Sequence, residues 1–326
     1  MKATLSIDEG RRIERLCESR SGDRIRIGLG AAGIERLEAH FRGQAFSPHR
    51  HDSYAIGLTL SGVQVFRYRG ARRHSLPGQC QILHPDEMHD GGAGDDEGFG
   101  YRIVYLDPCL VRDALGGGPL PFVKNPVVEA ARLPRGFASE IWNIDGEIDD
   151  VSRFDFAVAL ADMLRSASSD AATQSGPLAF DSLTRTRDAI AADPARRPAM
   201  AALERLSGLD RWTLARQFRS AFGTSPSRFR TMRQLDQVRQ FLKGGASLVS
   251  AAIDAGFADQ SHMSRHFKRA YGLTPARWLS ATGRMEAPSE NKRAVGIAGV
   301  LARSRDTSHA SCVQRGDRDG RDPKGA

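Results

Sequence analysis

Between residues 25 and 106 the apolar side chains come in short alternating or continuous runs, broken every few positions by glycine, proline or aspartate. That punctuation predicts β-strands over residues 25–29, 34–41, 54–60, 63–68, 79–83 and 99–106. Ser61-Gly62 and Leu76-Pro77-Gly78 supply turns, and DGGAGDDEG over 90–98 reads as an exposed loop. Many short antiparallel strands joined this way favour a barrel or sandwich. After Pro108 the spacing changes. Phe137, Ile141, Ile144 and Ile148, then Phe154, Val158, Ala161 and Leu164, recur three and four apart. They predict helices over 137–148 and 154–165 that cover the β unit or meet a second copy of the chain. The small polar run SASSDAATQSGP over 166–177 marks a flexible linker. Beyond it the pattern is helical over 179–279, and residues 284–326, rich in Arg, Asp, Gly and Ser without any period, read as disordered.

Inside the helical part, ARQFRSAFGTSPSRF over 215–229 recurs 49 residues later as SRHFKRAYGLTPARW over 264–278, with six of fifteen positions identical and no gap. Two copies are too few for a solenoid and point to a pair of equivalent modules. Each copy has the same anatomy. Asp210 or Asp259 stands where an N-cap belongs, and the helix then runs to Gly223 or Gly272. Ser225-Pro226 or Thr274-Pro275 starts the next helix. A shorter helix precedes each, over 199–206 or 247–255, and closes at Gly208 or Gly256. Short helix, glycine turn and capped second helix make a helix-turn-helix. Between the modules Phe229, Met232, Leu235, Val238 and Leu242 stripe one long connecting helix.

Composition sharpens this division. At 326 residues and 40% apolar the chain exceeds what one core needs. Its formal charge of +8 is local: residues 1–178 carry −4, residues 179–283 carry +9 and residues 284–326 carry +3. A basic surplus confined to the helical part fits a polyanion partner there, the alternative being a solvated basic surface. Cys17, Cys80, Cys109 and Cys312 form no C-x-x-C pair, which argues against a disulfide scaffold or thiolate zinc site and fits a reducing compartment. Residues 1–12 lack the apolar core of a signal peptide, and no run approaches the roughly 18 apolar residues that span a bilayer. A soluble cytoplasmic protein without a membrane partner is expected.

The second helices can be read by face. With Leu214, Phe218 and Ala221 inward, Arg211, Trp212, Ala215, Arg216 and Arg219 point out; with Met263, Phe267 and Ala270 inward, Gln260, Ser261, His262, Ser264, Arg265 and Lys268 do. Arg, Gln, Ser and His near a helix N-terminus reach base edges in a major groove, and the later Arg and Lys suit phosphates. Residues 180–280 resemble the double helix-turn-helix domain of the AraC/XylS family of bacterial transcription regulators. The second module carries the likeness, from Ala255-Gly256-Phe257-Ala258-Asp259-Gln260 through Phe267-Lys268 to Gly272-Leu273-Thr274-Pro275. The resemblance implies one recognition helix in each of two successive major grooves, about 34 Å apart. It places base reading at Trp212, Ala215 and Arg216, and at Gln260, Ser261, His262 and Arg265. Ala215 offers only an apolar contact there, such as a thymine methyl. Double-stranded DNA is the implied partner, with RNA polymerase a further one.

In the β unit, PHRHDSY over 48–54 and LHPDEMH over 83–89 are similar to the cupin-like effector-binding barrel at the N-terminus of many AraC/XylS proteins. That likeness implies a small-molecule effector in the barrel mouth. The expected fold class is therefore multidomain: an N-terminal all-β cupin-like barrel with flanking helices and a C-terminal all-α double helix-turn-helix. Expected boundaries are an N-terminal extension over 1–24, the barrel over 25–108, a helical relay or dimerisation segment over 109–167, a linker over 168–178, the DNA-binding domain over 179–283 and a tail over 284–326. A homodimer through the 137–165 helices stays open. His49, His51 and His89 raise the alternative of a metal-dependent cupin-type enzyme. Tyr54, Ala55 and Ile56 stand where its glutamate ligand belongs, so no metal or other cofactor is expected. Tyr101, Ile103 and Tyr105 alternate on one face of the last strand and, with the three histidines, are the candidate ligand contacts. The chain has no G-x-S-x-G, H-E-x-x-H or P-loop motif and no dinucleotide-binding βαβ pattern, so no catalytic residue is expected.

Overall fold

The computed structural model describes residues 22–130, 140–168 and 178–283. The expectations for the N-terminal extension, linker and tail fall almost wholly outside these residues. Among these residues ten strands form two antiparallel sheets. One has six strands in the order β1 (Arg24–Ile27), β2 (Ile34–Phe41), β9 (Phe99–Leu106), β4 (Tyr54–Gly62), β7 (Gln79–Leu83) and β10 (Val127–Glu129). The other has β3 (Gln44–His49), β8 (His89–Ala93), β5 (Gln64–Tyr68) and β6 (Ala71–Ser75). Strand β4 is buried over Tyr54 to Thr59 because both of its faces are covered, which is why it reads as a continuous apolar run. One face packs Phe41, Phe66, Phe99 and Tyr101 between the sheets. The other packs Ile56, Ile82 and Val104 against helices α1 (Pro108–Ala114) and α2 (Asp150–Ala167).

Four strands were not expected. β6, with sequence ARRHS, is a polar edge strand; β8, HDGGA, overlaps the segment 90–98 expected as an exposed loop; β3 carries Pro48 and two register shifts; β10 is three residues long. The helix expected over 137–148 is also corrected. Residues 141–149 run in turns, and residues 137–139 lie outside the description. The cause is Arg36, buried on β2, whose guanidinium donates to the carbonyls of Leu29, Glu140, Asn143 and Gly146. A charge buried this deeply needs a full set of acceptors, and turns present several carbonyls to one point where a helix cannot. Ile141, Trp142 and Ile144 stay buried as their hydrophobicity requires. On α2 the expected stripe splits: Ala161 and Leu164 are buried, Phe154 and Val158 exposed.

The second half is wholly helical: α3 (Phe180–Ala192), α4 (Met200–Ser207), α5 (Arg211–Phe222), α6 (Pro226–Lys243), α7 (Leu248–Asp254), α8 (Gln260–Tyr271) and α9 (Pro275–Gly283). The stops follow the residues. The Asp210 carboxylate accepts from the amides of Trp212 and Thr213, and Asp259 from that of His262. Gly223 and Gly272 close α5 and α8 in the left-handed region, which glycine enters without a Cβ penalty. Phe229, Met232, Leu235, Val238 and Leu242 are the buried stripe of α6, which at 18 residues spans about 27 Å.

Candidate nucleic-acid interface and effector cavity

The two capped helices α5 and α8 bury Leu214, Phe218 and Ala221, or Met263, Phe267 and Ala270, and this fixes which side chains face solvent. On α5, Trp212 is 74% exposed, an unusual state for a large aromatic without a partner. Arg216 is exposed and reaches Thr213 Oγ1 at 3.2 Å; Ala215 is half-buried between them. Arg211 pairs with Glu204 of α4 at 3.1 Å, and Arg219 with Asp86 of the barrel at 3.0 Å. On α8, Ser261, Arg265 and Lys268 are exposed and Gln260 half-buried. His262 is fixed by Phe257, ring centroids 5.6 Å apart, and by His266, whose Nε2 lies 3.1 Å from its own. Each helix thus presents one outward row, and Arg219 alone in these rows is held by the barrel.

The barrel mouth opens onto α6 and α9, and between them lies a cavity of about 480 Å³. Of the candidate ligand contacts, His49, His51, Tyr101 and Tyr105 line it. Ile103 and His89 do not line the cavity, although His89 packs against both other histidines with ring centroids 4.2 and 4.8 Å away. The three histidines share a local device. Each Nδ1 lies 2.8–2.9 Å from a carbonyl two residues away, of Ser47, Ser53 or Glu87, so Nδ1 holds the proton and Nε2 is left as an acceptor. His51 Nε2 is buried without a partner among the described residues. Burial, and then the neighbouring imidazoles, hold His49 and His51 well below the usual histidine range, and burial holds His89 at about 4. At neutral pH the three rings are therefore neutral, two of them lining the cavity and His89 packed against both. Among the described residues no group of three or more His, Cys, Asp or Glu is placed to hold a metal ion.

The opposite wall went unnoticed at the level of sequence because it comes from the connecting helix. Arg233, Asp236, Arg239 and Lys243, spaced three, three and four apart, form the polar edge of α6, and that spacing was the available signal. Arg233 pairs with Asp52 at 2.9 Å and Arg239 with Glu35 at 3.1 Å, both carboxylates belonging to the barrel. Burial pushes Asp52 up to about 6 despite Arg233 beside it. Arg239 and Lys243 also lie over the Trp278 ring, at 5.5 and 5.9 Å. Ile25, Phe46, Phe229 and Met232 supply apolar wall, so the cavity suits a small amphipathic molecule touching both halves.

Such an arrangement defines a class: a DNA-binding protein with two helix-turn-helix modules joined to a ligand-binding barrel. The AraC-like ligand binding domain family matches residues 31–146, and a helix-turn-helix domain family matches residues 203–281. The uncharacterized HTH-type transcriptional regulator YbfI of Bacillus subtilis (strain 168) is 26% identical over 236 residues, 70% of this chain and 86% of that protein. Among solved structures, ToxT from Vibrio cholerae superposes with a TM-score of 0.55 at 13% identity, covering 77% of this chain and 99% of ToxT. A structure of ToxT from strain SCE256 with an unsaturated fatty acid bound gives 0.53 at 13%, covering 83% and 100%. The chain belongs to the AraC family of transcription regulators, and it is a ligand-responsive, sequence-specific DNA-binding regulator. These relatives do not favour the metal-dependent enzyme alternative. No helix among the described residues is long and apolar enough to cross a membrane.

Proposed function

We propose that α5 and α8 read successive major grooves through Arg211, Trp212, Ala215 and Arg216 and through Gln260, Ser261, His262 and Arg265, with Arg219 and Lys268 on phosphates. The effector occupies the cavity between barrel and α6. The observation that carries this reading is the cavity's wall: one side belongs to the barrel, the other to the helix that joins both modules, so an occupant can favour one arrangement of the two halves over another. The fatty acid in ToxT supports an amphipathic organic effector, whose polar end would meet His51, Tyr101 and Tyr105 or the Arg239 and Lys243 side. The experiment is a DNA-binding titration with and without effector on Leu37→Trp, which fills the cavity from the barrel side. Basal DNA binding should persist and the effector response should vanish; an intact response would move the effector elsewhere.

The chain acts as a regulator rather than an enzyme, in the cytoplasm with its DNA, and RNA polymerase is the partner that transcription control requires. Val151, Phe154 and Val158 form an exposed apolar row on α2, which supports a contact with a second copy there. Phe154→Glu should then lower the sedimentation mass of the chain, and a mass already that of one chain would remove the dimer.

A further inference from the structure

The segments 223–228 (GTSPSR) and 272–277 (GLTPAR) are equivalent corners of the two modules, one per copy of the repeat. Both begin at the left-handed glycine that closes the reading helix, φ +71 and +70. Both are also points of very close approach to the barrel. A Cβ on Gly223 would lie 2.6 Å from Pro85 Cβ, and one on Gly272 would lie 2.8 Å from His49 Nδ1 and 3.0 Å from the Ser47 carbonyl. The Ser47 amide donates to the Gly272 carbonyl at 3.0 Å.

The arginine that ends each corner behaves identically in the two copies. Arg228 pairs with Asp86 at 2.8 Å and donates to the Arg50 carbonyl. Arg277 pairs with Asp23 at 2.6 Å and donates to the Ala45 carbonyl at 3.1 Å. The two aspartate side chains are 8% and 0% exposed. They are unrelated in the barrel: Asp86 lies between β7 and β8, Asp23 just before β1. What repeats is on the module side, a corner that takes a carboxylate. Asp86 also sits at φ +61, a region that aspartate tolerates better than most residues, and it takes Arg219 as well. Arg219 and Lys268 occupy the same place on the two reading helices, at the end suited to phosphates. A guanidinium that pairs with a carboxylate has the charge and the donors to pair with a phosphate.

We propose that each corner is an oxyanion socket, one per module, filled here by a barrel carboxylate and taking a DNA backbone phosphate when the barrel releases it. Barrel and DNA compete for the same two arginines. Phe46 and His49, which seat on Gly272, also line the effector cavity, so an occupant bears directly on one of the two sockets. The proposal rests on DNA binding by the two modules and is independent of which molecule the effector is.

The test uses the full chain, specific-site DNA, no effector and a salt series. Asp23→Asn with Asp86→Asn should tighten binding at least about tenfold and steepen the slope of log K against log salt by roughly two, about 0.9 for each phosphate gained. Adding Arg228→Gln and Arg277→Gln to that background should restore the original slope. Asp95→Asn with Asp96→Asn removes the same charge from an exposed loop and should leave the slope alone. Asp23 is fully buried, so Asp86→Asn is also measured singly, with circular dichroism as the folding check; it should give half the slope change. An unchanged slope in both aspartate variants, an equal gain in the loop variant, or weaker binding by Asp86→Asn would overturn the competition.

Discussion

The two modules share a skeleton, yet they are built into the molecule differently. Leu214, Phe218 and Ala221 occupy the same buried positions as Met263, Phe267 and Ala270, with the same caps. The core of the second module is continuous with the barrel interior, running from Phe41 and Phe99 through Met232 to Phe267 and Trp278. The first encloses a separate core of Leu183, Leu214, Phe218 and Phe222, touched from the barrel side by Cys109 of α1. Outside, the aligned pairs are Arg211 and Gln260, Trp212 and Ser261, Ala215 and Ser264, Arg216 and Arg265. Buried positions must fill the same space in both copies and stay alike, whereas exposed ones carry no packing demand and are free to differ. The second module shows hydrogen-bonding groups at all four places; the first shows an apolar pair beside two arginines.

Truncating the cores gives the largest effects. Phe218→Ala and Phe267→Ala should each cost about 3–5 kcal/mol. The distinction lies in what else is lost. Trp142 sits in the barrel layer and Trp278 in the shared core. Phe267→Ala should disturb the fluorescence of Trp278 and lower the barrel's own transition, while Phe218→Ala should leave the Trp142 signal in place. Equal disturbance by both would make the two cores one.

Acid comes next, because the histidine cluster packs directly on the second module's corner, His49 lying against Gly272, and reaches the first module's corner only through the charge of Arg228. Groups with a depressed folded pKa contribute stability that is complete above their unfolded value, near 6.5, and lost as pH falls. For His89, held at about 4 by burial, the loss is on the order of 3 kcal/mol once it is protonated. Asp52, raised to about 6, has the opposite slope: its contribution is full below about 4 and shrinks as pH rises to 6. One carboxyl against three imidazoles leaves a net loss on acidification. Amide exchange below pH 6 should therefore accelerate in β3 and at the end of α8 before the end of α5. Simultaneous acceleration at both would show a global effect of acid, and His89→Gln should flatten the difference.

How much of this was legible follows from where each signal resides. The helix-turn-helix pair was readable down to its caps because Asp210, Asp259, Gly223 and Gly272 act on their own helices. Strands with an apolar face, β2, β4, β5, β7 and β9, were equally plain. β6 and β8 were not, since ARRHS and HDGGA carry no alternation of apolar and polar side chains. Arg36 illustrates the other limit: its acceptors are 104 to 110 residues away apart from Leu29, so nothing local announces that it is buried or that it turns a helical pattern into turns. The cavity was half legible for the same reason. His49, Tyr101 and Tyr105 belong to strands with an inside and His51 follows β3 by two residues, while Arg233 and Arg239 find their carboxylates only when two domains meet.

Two smaller effects sharpen the contrast between the modules. Arg265→Ala should lose about 1–3 kcal/mol on the specific site and less on random DNA, as expected for a bidentate base contact. Equal losses on both DNAs would make it a phosphate contact. Trp212→Ala should lose less, because an apolar contact discriminates bases weakly.

The smallest effect concerns the caps, where the copies differ by one hydrogen bond. Asp259 accepts from one amide, that of His262 at 2.7 Å; Asp210 accepts from two, Trp212 and Thr213, at 3.0 and 3.1 Å. The hydrogen bonds to Thr213 are what pull the Asp210 carboxyl below its usual range. A depressed carboxylate contributes stability above its unfolded pKa and loses it only as pH falls through the folded value. Asp259→Ala should cost about 1 kcal/mol in thermal unfolding at neutral pH, and Asp210→Ala should lower the melting temperature further. If Asp259→Ala proves the more damaging, the shared core makes α8 more dependent on its first turn than α5, and the modules differ in their skeleton as well as in their faces.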